Sequence, residues 1–274
     1  MTITEWLAQA TYELKSADIE SARLDAELIL AHTIRQPRTY LHAHGDNELN
    51  PRHEDIANAR LELRLDRTPV AYIVGHKEFY GRRFKTTPAA LIPRPESEDF
   101  IELLADIIPK NLPLVPTDLH LVDVGTGTGC LGITAKLEWP ELHVTLTDSS
   151  RHALNLAEEN AKELRADVHI VRGDLLRGYT GQLDIIIANL PYVDRSWDVS
   201  PDAHAEPDNA LYAADDGLAL IRQLLVQAST LLKTGGHILL ESDLRQQATV
   251  IAFAKEYGFV LQQTKGLITH FVRS

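Results

Sequence analysis

Along the first third of the chain, hydrophobic positions recur at helical spacing. Ile3, Trp6, Leu7, Ala10 and Leu14 fall on one stripe, and Thr2 with Glu5 offers the capping box that would start it. Leu24, Leu28 and Ala31, with Ile29 beside them, predict a second helix. Asn50 followed by Pro51 predicts an N-cap and first helical position for a third, running through Ile56, Leu61 and Leu65. Arg67-Thr68-Pro69 ends it, and Val70 to Val74 adds a short turn of helix. The pattern then changes. Phe79-Tyr80-Gly81-Arg82-Arg83-Phe84 predicts a hairpin around Gly81, and Pro88, Pro93 and Pro95 keep the chain extended. Glu96 to Ile108 returns to helical periodicity, and Pro109, Pro113 and Pro116 mark a loop.

From Leu119 onward, short apolar runs alternate with helical stretches. Strands are predicted at Leu119 to Val124, Val144 to Asp148, Val168 to Arg172, Leu183 to Ala188 and His237 to Glu241, with a closing pair at Phe259 to Gln263 and Ile268 to Val272. Strand-helix alternation of this kind implies a mostly parallel, doubly wound α/β sheet. Three regions result: a helical domain at 1–75, a hairpin and linker at 76–95, and the sheet domain at 96–274. The first contains eight Lys/Arg and twelve Asp/Glu, and a small helical bundle without evident chemistry is expected to serve recognition or packing.

Composition narrows the function classes. A formal charge of −12 argues against a broad basic surface for nucleic acid. A single cysteine leaves no intrachain disulfide framework, and neither a CxxC nor an HExxH pattern is present. The twelve histidines show no metal-ligand spacing, so no metal is expected. The N-terminal MTITEWLAQA lacks the basic start and apolar run of a signal peptide, and no apolar run approaches membrane-spanning length. The expectation is a cytoplasmic, soluble protein, with nothing to suggest an obligate oligomer.

Two stretches carry candidate chemistry. Ile185-Ile186-Ile187-Ala188 reads as a buried strand, and Asn189-Leu190-Pro191-Tyr192 sits at its carboxyl end, where open α/β sheets bind ligands. An Asn side-chain carbonyl and a nearby backbone carbonyl can both accept from a planar NH2 group, while a Tyr ring stacks on its plane. Such a group is a poor nucleophile because its lone pair is delocalised. Two fixed acceptors orient it and stabilise the positive charge that grows during attack. The same residues also read as a strand followed by a plain Pro turn.

The second stretch is Gly125-Thr126-Gly127-Thr128-Gly129-Cys130-Leu131-Gly132, directly after the first strand. Gly127, Gly129 and Gly132 satisfy the dinucleotide fingerprint, and Asp148 ends the next strand at a distance suited to a ribose, so an NAD enzyme is one reading. Asp123 just before the glycines is placed to meet an ammonium, and Asp174 to reach an adenine edge. Ammonium, ribose and adenine together describe S-adenosylmethionine, the other reading. Cys130 reads as a small residue at the helix start, with no His placed in sequence to activate it.

Taken together, these stretches resemble the release-factor glutamine N(5)-methyltransferases of the PrmC/HemK type, over nearly the whole chain. Ser21 to Leu28 is similar to the family's N-terminal helical segment, and Pro69 to Gly75 with Glu78 to Gly81 to its domain junction. Leu91-Ile92-Pro93-Arg94-Pro95-Glu96-Ser97-Glu98 is similar to its most individual signature. Glu206-Pro207, Ala210-Leu211 and Asp216-Gly217-Leu218 match the segment after the catalytic loop.

The resemblance implies a Rossmann-like class I S-adenosylmethionine-dependent methyltransferase domain with a seven-stranded sheet. It implies methylation of the glutamine amide in the Gly-Gly-Gln motif of peptide chain release factors, leaving S-adenosylhomocysteine. By the same resemblance, Asp123, Gly125, Thr126, Gly127, Thr128 and Gly129 meet the methionine part and Asp148 the ribose. Asp174 and Leu175 fall to the adenine. Asn189, Leu190, Pro191 and Tyr192 fall to the glutamine, with Asn189 also bordering the cofactor and Arg94 and Glu206 bordering the substrate. Three positions depart from the family pattern: Leu190, where it has Pro; Leu175, where some members carry an aromatic; and Glu241-Ser242-Asp243, where it often has Glu-Ile-Gly. The competing functions are an amino-methyltransferase acting on adenine or cytosine of nucleic acid, which would use the same tetrad, and a catalytically silent binder of the same fold.

Overall fold

The computed structural model describes residues 1–108 and 118–274, so the loop expected at Pro109, Pro113 and Pro116 lies outside the described residues. The chain divides into two compact units, Met1–His76 with Val199–Ala205, and Lys77–Asp198 with Glu206–Ser274. Residues 199–205, expected in the sheet domain, therefore belong with the helices, and all but the first residue of 76–95 belongs with the sheet.

The first unit contains α1 (Ile3–Ser16), α2 (Ala22–Ile34), α3 (Arg38–Ala43), α4 (Pro51–Leu65) and α5 (Val70–Val74). The Thr2 N–H donates to the Glu5 carboxylate at 2.8 Å and Thr2 Oγ1 accepts from the Glu5 N–H at 3.2 Å, which forms the expected capping box. The stripe Ile3, Trp6, Leu7, Ala10 and Leu14 is buried as predicted. Asn50 caps α4 by accepting from the Arg52 N–H at 2.9 Å. With six residues and one buried side chain, Leu41, α3 is too short to show a stripe, and its sequence did not announce it.

In α2 the expected face holds in part. Ile29 and Ala31 are buried as predicted, but Leu24 is exposed and Leu28 half-buried, and Ala22, Asp25, Ala26 and Leu30 are buried beside them. The buried side includes a charge pair. Arg64 Nε on α4 donates to Asp25 Oδ2 at 2.7 Å, and its Nη1 and Nη2 donate to the Asp202 carboxylate at 3.0 and 2.5 Å. Arg64 and Asp25 are each 2 % exposed. A carboxylate can be buried only where a partner replaces its water, and Arg64 is the partner that lets the face bearing Asp25 turn inward.

The hairpin β1 (His76–Phe79) and β2 (Arg82–Lys85) opens the second unit, with only its first residue counted in the first. Tyr80 and Gly81 both have positive φ, the backbone that a two-residue turn of this kind requires. Then follow α6 (Asp99–Ile107), β3 (His120–Val124), α7 (Cys130–Glu138), β4 (His143–Asp148), α8 (Arg151–Leu164), β5 (His169–Arg172) and β6 (Leu183–Ala188). The chain continues through α9 (Asp208–Leu211), α10 (Ala219–Leu231), β7 (Leu232–Glu241), α11 (Leu244–Glu256), β8 (Phe259–Lys265) and β9 (Ile268–Arg273). The seven strands β3 to β9 form one sheet in the order β5-β4-β3-β6-β7-β9-β8, in which β9 pairs antiparallel with both β7 and β8 and the other pairs are parallel.

Both faces of the sheet are covered. Ile185 and Ile187 of β6 pack into a cluster with residues of α6, α7 and α8, whereas Ile186 and Ala188 pack with α10 and α11 on the other side. A strand covered on two faces needs apolar residues at every position, which explains the unbroken Ile-Ile-Ile-Ala run. Each buried Ile contributes about 1.5–3 kcal/mol. Strand order reverses between neighbours β3 and β6, and such a switch point opens a crevice beyond the carboxyl ends of the strands.

Candidate active site

The crevice has a floor made by the loop between β3 and α7. Several backbone donors of that loop and of the first turn of α7 are already used. The N–H groups of Gly125 and Thr126 donate to the Thr147 carbonyl at 2.8 and 3.0 Å, and that of Gly129 to the Thr126 carbonyl at 2.8 Å. The Gly127 N–H donates to Asp148 Oδ2 at 3.0 Å, and the Gly132 N–H to Asp123 Oδ2 at 2.9 Å. Gly132 has no room for a side chain: a Cβ there would stand 3.0 Å from Asp123 Cβ and closer still to Leu146.

This wiring separates the two cofactor readings. A dinucleotide lays its pyrophosphate on free N–H groups at a helix start. Here the Gly127 and Gly132 N–H groups are turned to the carboxylates of Asp148 and Asp123, and the carboxylates of Asp123, Asp148 and Asp174 border the cavity. Such a site repels a pyrophosphate and suits a cationic ligand.

Asp123 is 1 % exposed, and Thr126 Oγ1 donates to its Oδ2 at 2.6 Å. Burial pushes its carboxyl up to about 6, against the hydrogen bonds from Thr126 and Gly132 that pull it down. Asp148 also accepts from the Ser150 N–H at 2.8 Å; burial raises its carboxyl above the usual range. Asp174 and Leu175 follow β5 along the same cleft, with Leu175 in the left-handed region at φ 54°. The cleft continues into a recess lined by Arg94, Ser97, Asp123, Thr126 and Thr128. Cys130 borders that recess with its thiol pushed up to about 12 by burial, which leaves it protonated and unsuited to nucleophilic work.

Asn189, Leu190 and Pro191 line the opposite wall. Leu190 is 3 % exposed and belongs to the core cluster under α10 and α11, so the side chain that replaces the family's Pro anchors the loop by packing. Among the described residues, no donor is bonded to the Leu190 carbonyl or to Asn189 Oδ1.

The other end of the Asn189 amide is engaged. Its Nδ2 donates to Ser97 Oγ at 2.9 Å, Ser97 Oγ donates to Glu241 Oε2 at 2.7 Å, and Tyr192 Oη donates to Glu241 Oε1 at 3.1 Å. Ser97 and Glu241 are each 2 % exposed. Burial raises the Glu241 carboxyl, opposed by the bonds from Ser97 and Tyr192. Burial and the adjacent Glu241 together hold the Tyr192 phenol well above its ordinary value. Gln246 secures the next stretch: its Nε2 donates to the carbonyls of Tyr192 and Asp216 at 2.8 and 2.7 Å.

Of the two residues expected to border the substrate, Arg94 lines the recess. Glu206 is buried, and its carboxylate accepts from the Ile92 N–H at 3.0 Å and from Arg94 Nη2. Glu206 thus pins the 92–94 segment. Sequence reasoning missed Ser97, Glu241 and Gln246 as parts of the site. Ser97 lay inside the quoted Leu91 to Glu98 signature, and Glu241 ends a strand beside the one that ends at the tetrad. Among the described residues, no three His, Cys, Asp or Glu side chains are grouped to hold a metal, and no helix is long and apolar enough to cross a membrane.

Comparison with known proteins places the chain in a family. Residues 5–75 match the family model of the PrmC N-terminal domain, and residues 99–205 that of the methyltransferase small domain. A release factor glutamine methyltransferase of Deinococcus radiodurans is 38% identical over 263 residues, covering 94% of this chain and 92% of its own. Its namesake in Escherichia coli is 32% identical over 257 residues, covering 91% and 89%. Among solved structures, a methyltransferase of Pyrococcus furiosus superposes with a TM-score of 0.53 at 17% identity, over 79% of this chain and 98% of that one. A 16S rRNA N2 G1207 methyltransferase of T. thermophilus, in complex with AdoMet and guanosine, gives 0.53 at 15% identity, over 73% and 50%. These two likenesses establish the fold, a Rossmann-like methyltransferase sheet. With relatives this similar across nearly its full length, the chain belongs to the release factor glutamine methyltransferase family of enzymes.

Proposed function

We propose that the protein transfers a methyl group from S-adenosylmethionine to the side-chain amide nitrogen of the glutamine in the Gly-Gly-Gln motif of peptide chain release factors. The observation that carries this reading is the pair of unengaged acceptors, Asn189 Oδ1 and the Leu190 carbonyl, on the wall of a cleft bordered by three carboxylates. The bound cofactor supplies an electrophilic methyl on a sulfonium.

The residues present fit that group. The Gly125 to Gly129 loop would hold its methionine part, with Asp123 facing the ammonium. Asp148 would accept from the ribose diol, and Asp174 with Leu175 would border the adenine. On the substrate side, Asn189 Oδ1 and the Leu190 carbonyl each accept one N–H of the glutamine amide, while Tyr192 packs on its plane. Both acceptors strengthen as positive charge grows on the nitrogen, so they favour the transition state over the ground state. No general base is needed beforehand, because the amide proton turns acidic only as the nitrogen acquires its fourth bond. In this reading the helical unit serves to recognise the release factor.

The test is methyl transfer from labelled S-adenosylmethionine to a purified release factor, compared with a Gln→Ala variant of its Gly-Gly-Gln loop. Label in the wild type alone is the expected result. Label in neither, with calorimetry showing that cofactor binds, overturns the substrate assignment and directs the assay to adenine or cytosine amines of nucleic acid.

A further inference from the structure

An Asn amide has two nearly isosteric ends, and only one of them can serve the chemistry just described. If Nδ2 faced the cleft it would oppose the NH2 group of the substrate, donor against donor. Something must decide which end points inward, and packing cannot, because the oxygen and nitrogen ends are almost the same size.

The chain of hydrogen bonds behind Asn189 has a direction that decides it. Glu241 accepts from Ser97 Oγ on one oxygen and from Tyr192 Oη on the other. Ser97 has a single hydroxyl proton, and that proton is spent on Glu241. The Ser97 oxygen can then only accept from Asn189, so the amide must present Nδ2 to Ser97 and Oδ1 to the cleft. We propose that Ser97 and Glu241 are positioning residues which set the orientation of the Asn189 amide, turning Oδ1 toward the substrate. The topology supplies the contact: Ala188 pairs with Leu240 in the parallel β6–β7 ladder, so Asn189 and Glu241 leave the sheet side by side. Ser97 lies in the short 3₁₀ turn Pro95–Glu98 and bridges them.

The catalytic part of this inference rests on the substrate reading above; the orientation of the amide does not, and the experiment separates them. The side-chain NH2 of Asn189 is observed by NMR after ¹⁵N-asparagine labelling and assigned by its disappearance in Asn189→Ala. In the wild type one amide proton is expected to be shifted downfield and protected from exchange. In Ser97→Ala and in Glu241→Gln, the near-isosteric neutral variant, that protection is lost. In the methyl-transfer assay both variants are expected to lose about tenfold to a hundredfold in kcat, the usual cost of losing an orienting partner, with little change in the Kd for S-adenosylmethionine or in KM for the release factor. Neither substitution should add further loss to Asn189→Ala. An unprotected amide in the wild type, or protection that survives in Glu241→Gln, overturns the orientation. Losses that add to that of Asn189→Ala, or that appear only in KM, overturn the positioning role. A protected amide in an enzyme that labels no release factor sinks the substrate reading and leaves the orientation standing.

Discussion

A Cβ placed on Gly125 would stand 2.7 Å from Leu190 Cδ2. The glycine loop after β3 and the Asn189 loop after β6 therefore touch directly, glycine backbone against leucine side chain, across the switch point between β3 and β6. Gly125 also has φ 73°, so two independent constraints exclude a side chain there.

Leu190→Ala should remove that packing and leave the backbone carbonyl in place. The expected cost is about 2–5 kcal/mol of stability, read from the midpoint of denaturant unfolding, with kcat changed far less than stability. Gly125→Ala should weaken cofactor binding, and Leu190→Ala should rescue it only in part, because the left-handed backbone strain remains. Full rescue would show that the clash alone matters.

Asn189→Ala removes one acceptor from the growing charge and should lower turnover on the order of 10²–10³-fold, as loss of one oriented polar group does elsewhere. Asn189→Asp keeps an acceptor but adds a negative charge beside the buried Glu241, and should be folded yet slow. Steady-state kinetics with cofactor affinity measured in parallel checks both, and an unchanged rate in Asn189→Ala would remove this residue from the chemistry.

In the helical unit, Arg64→Met leaves Asp25 buried without its cation, which should cost about 3–5 kcal/mol. Adding Asp25→Leu should recover most of that loss, since an apolar pair of similar volume can replace a buried ion pair at little cost. Thermal unfolding of the two single variants and the double variant measures the coupling. Simple additivity would mean that Asp25 and Arg64 are not coupled in the fold.

Asp123 titrates near 3.8 as a free group and about 6 in the fold, chiefly through burial. The folded state then binds the proton more tightly than the unfolded chain, so this group makes stability fall as pH rises from about 4 to about 6, and leaves it level above that. Asp123→Asn should therefore be more stable than wild type at pH 7.5, by a margin that shrinks as pH is lowered toward 5, while binding S-adenosylmethionine more weakly. Chemical denaturation across that range measures it; a margin independent of pH contradicts the assignment.

Much of the molecule could be read from local pattern. The Thr2–Glu5 cap, the α1 stripe, the Asn50-Pro51 start of α4, the hairpin at Gly81 and the strand at 183–188 each depend on residues a few positions apart, so the short-range spacing of polar and apolar side chains carries them. The glycine loop, Asp148 and the Asn189 tetrad were found for the same reason: each lies at the end of a recognisable strand. Tertiary structure alone decided the rest. The burial of Asp25 on α2 depends on Arg64, thirty-nine residues after it. The fate of Glu206 depends on Ile92 and Arg94, more than a hundred residues before it. Which end of the Asn189 amide faces Ser97 depends on the register that sets Glu241 beside it and on a serine from a distant turn. Sequence spacing reports what a residue can do within its own helix or strand; a buried charge or an amide with two similar ends takes its role from the partner the fold brings to it.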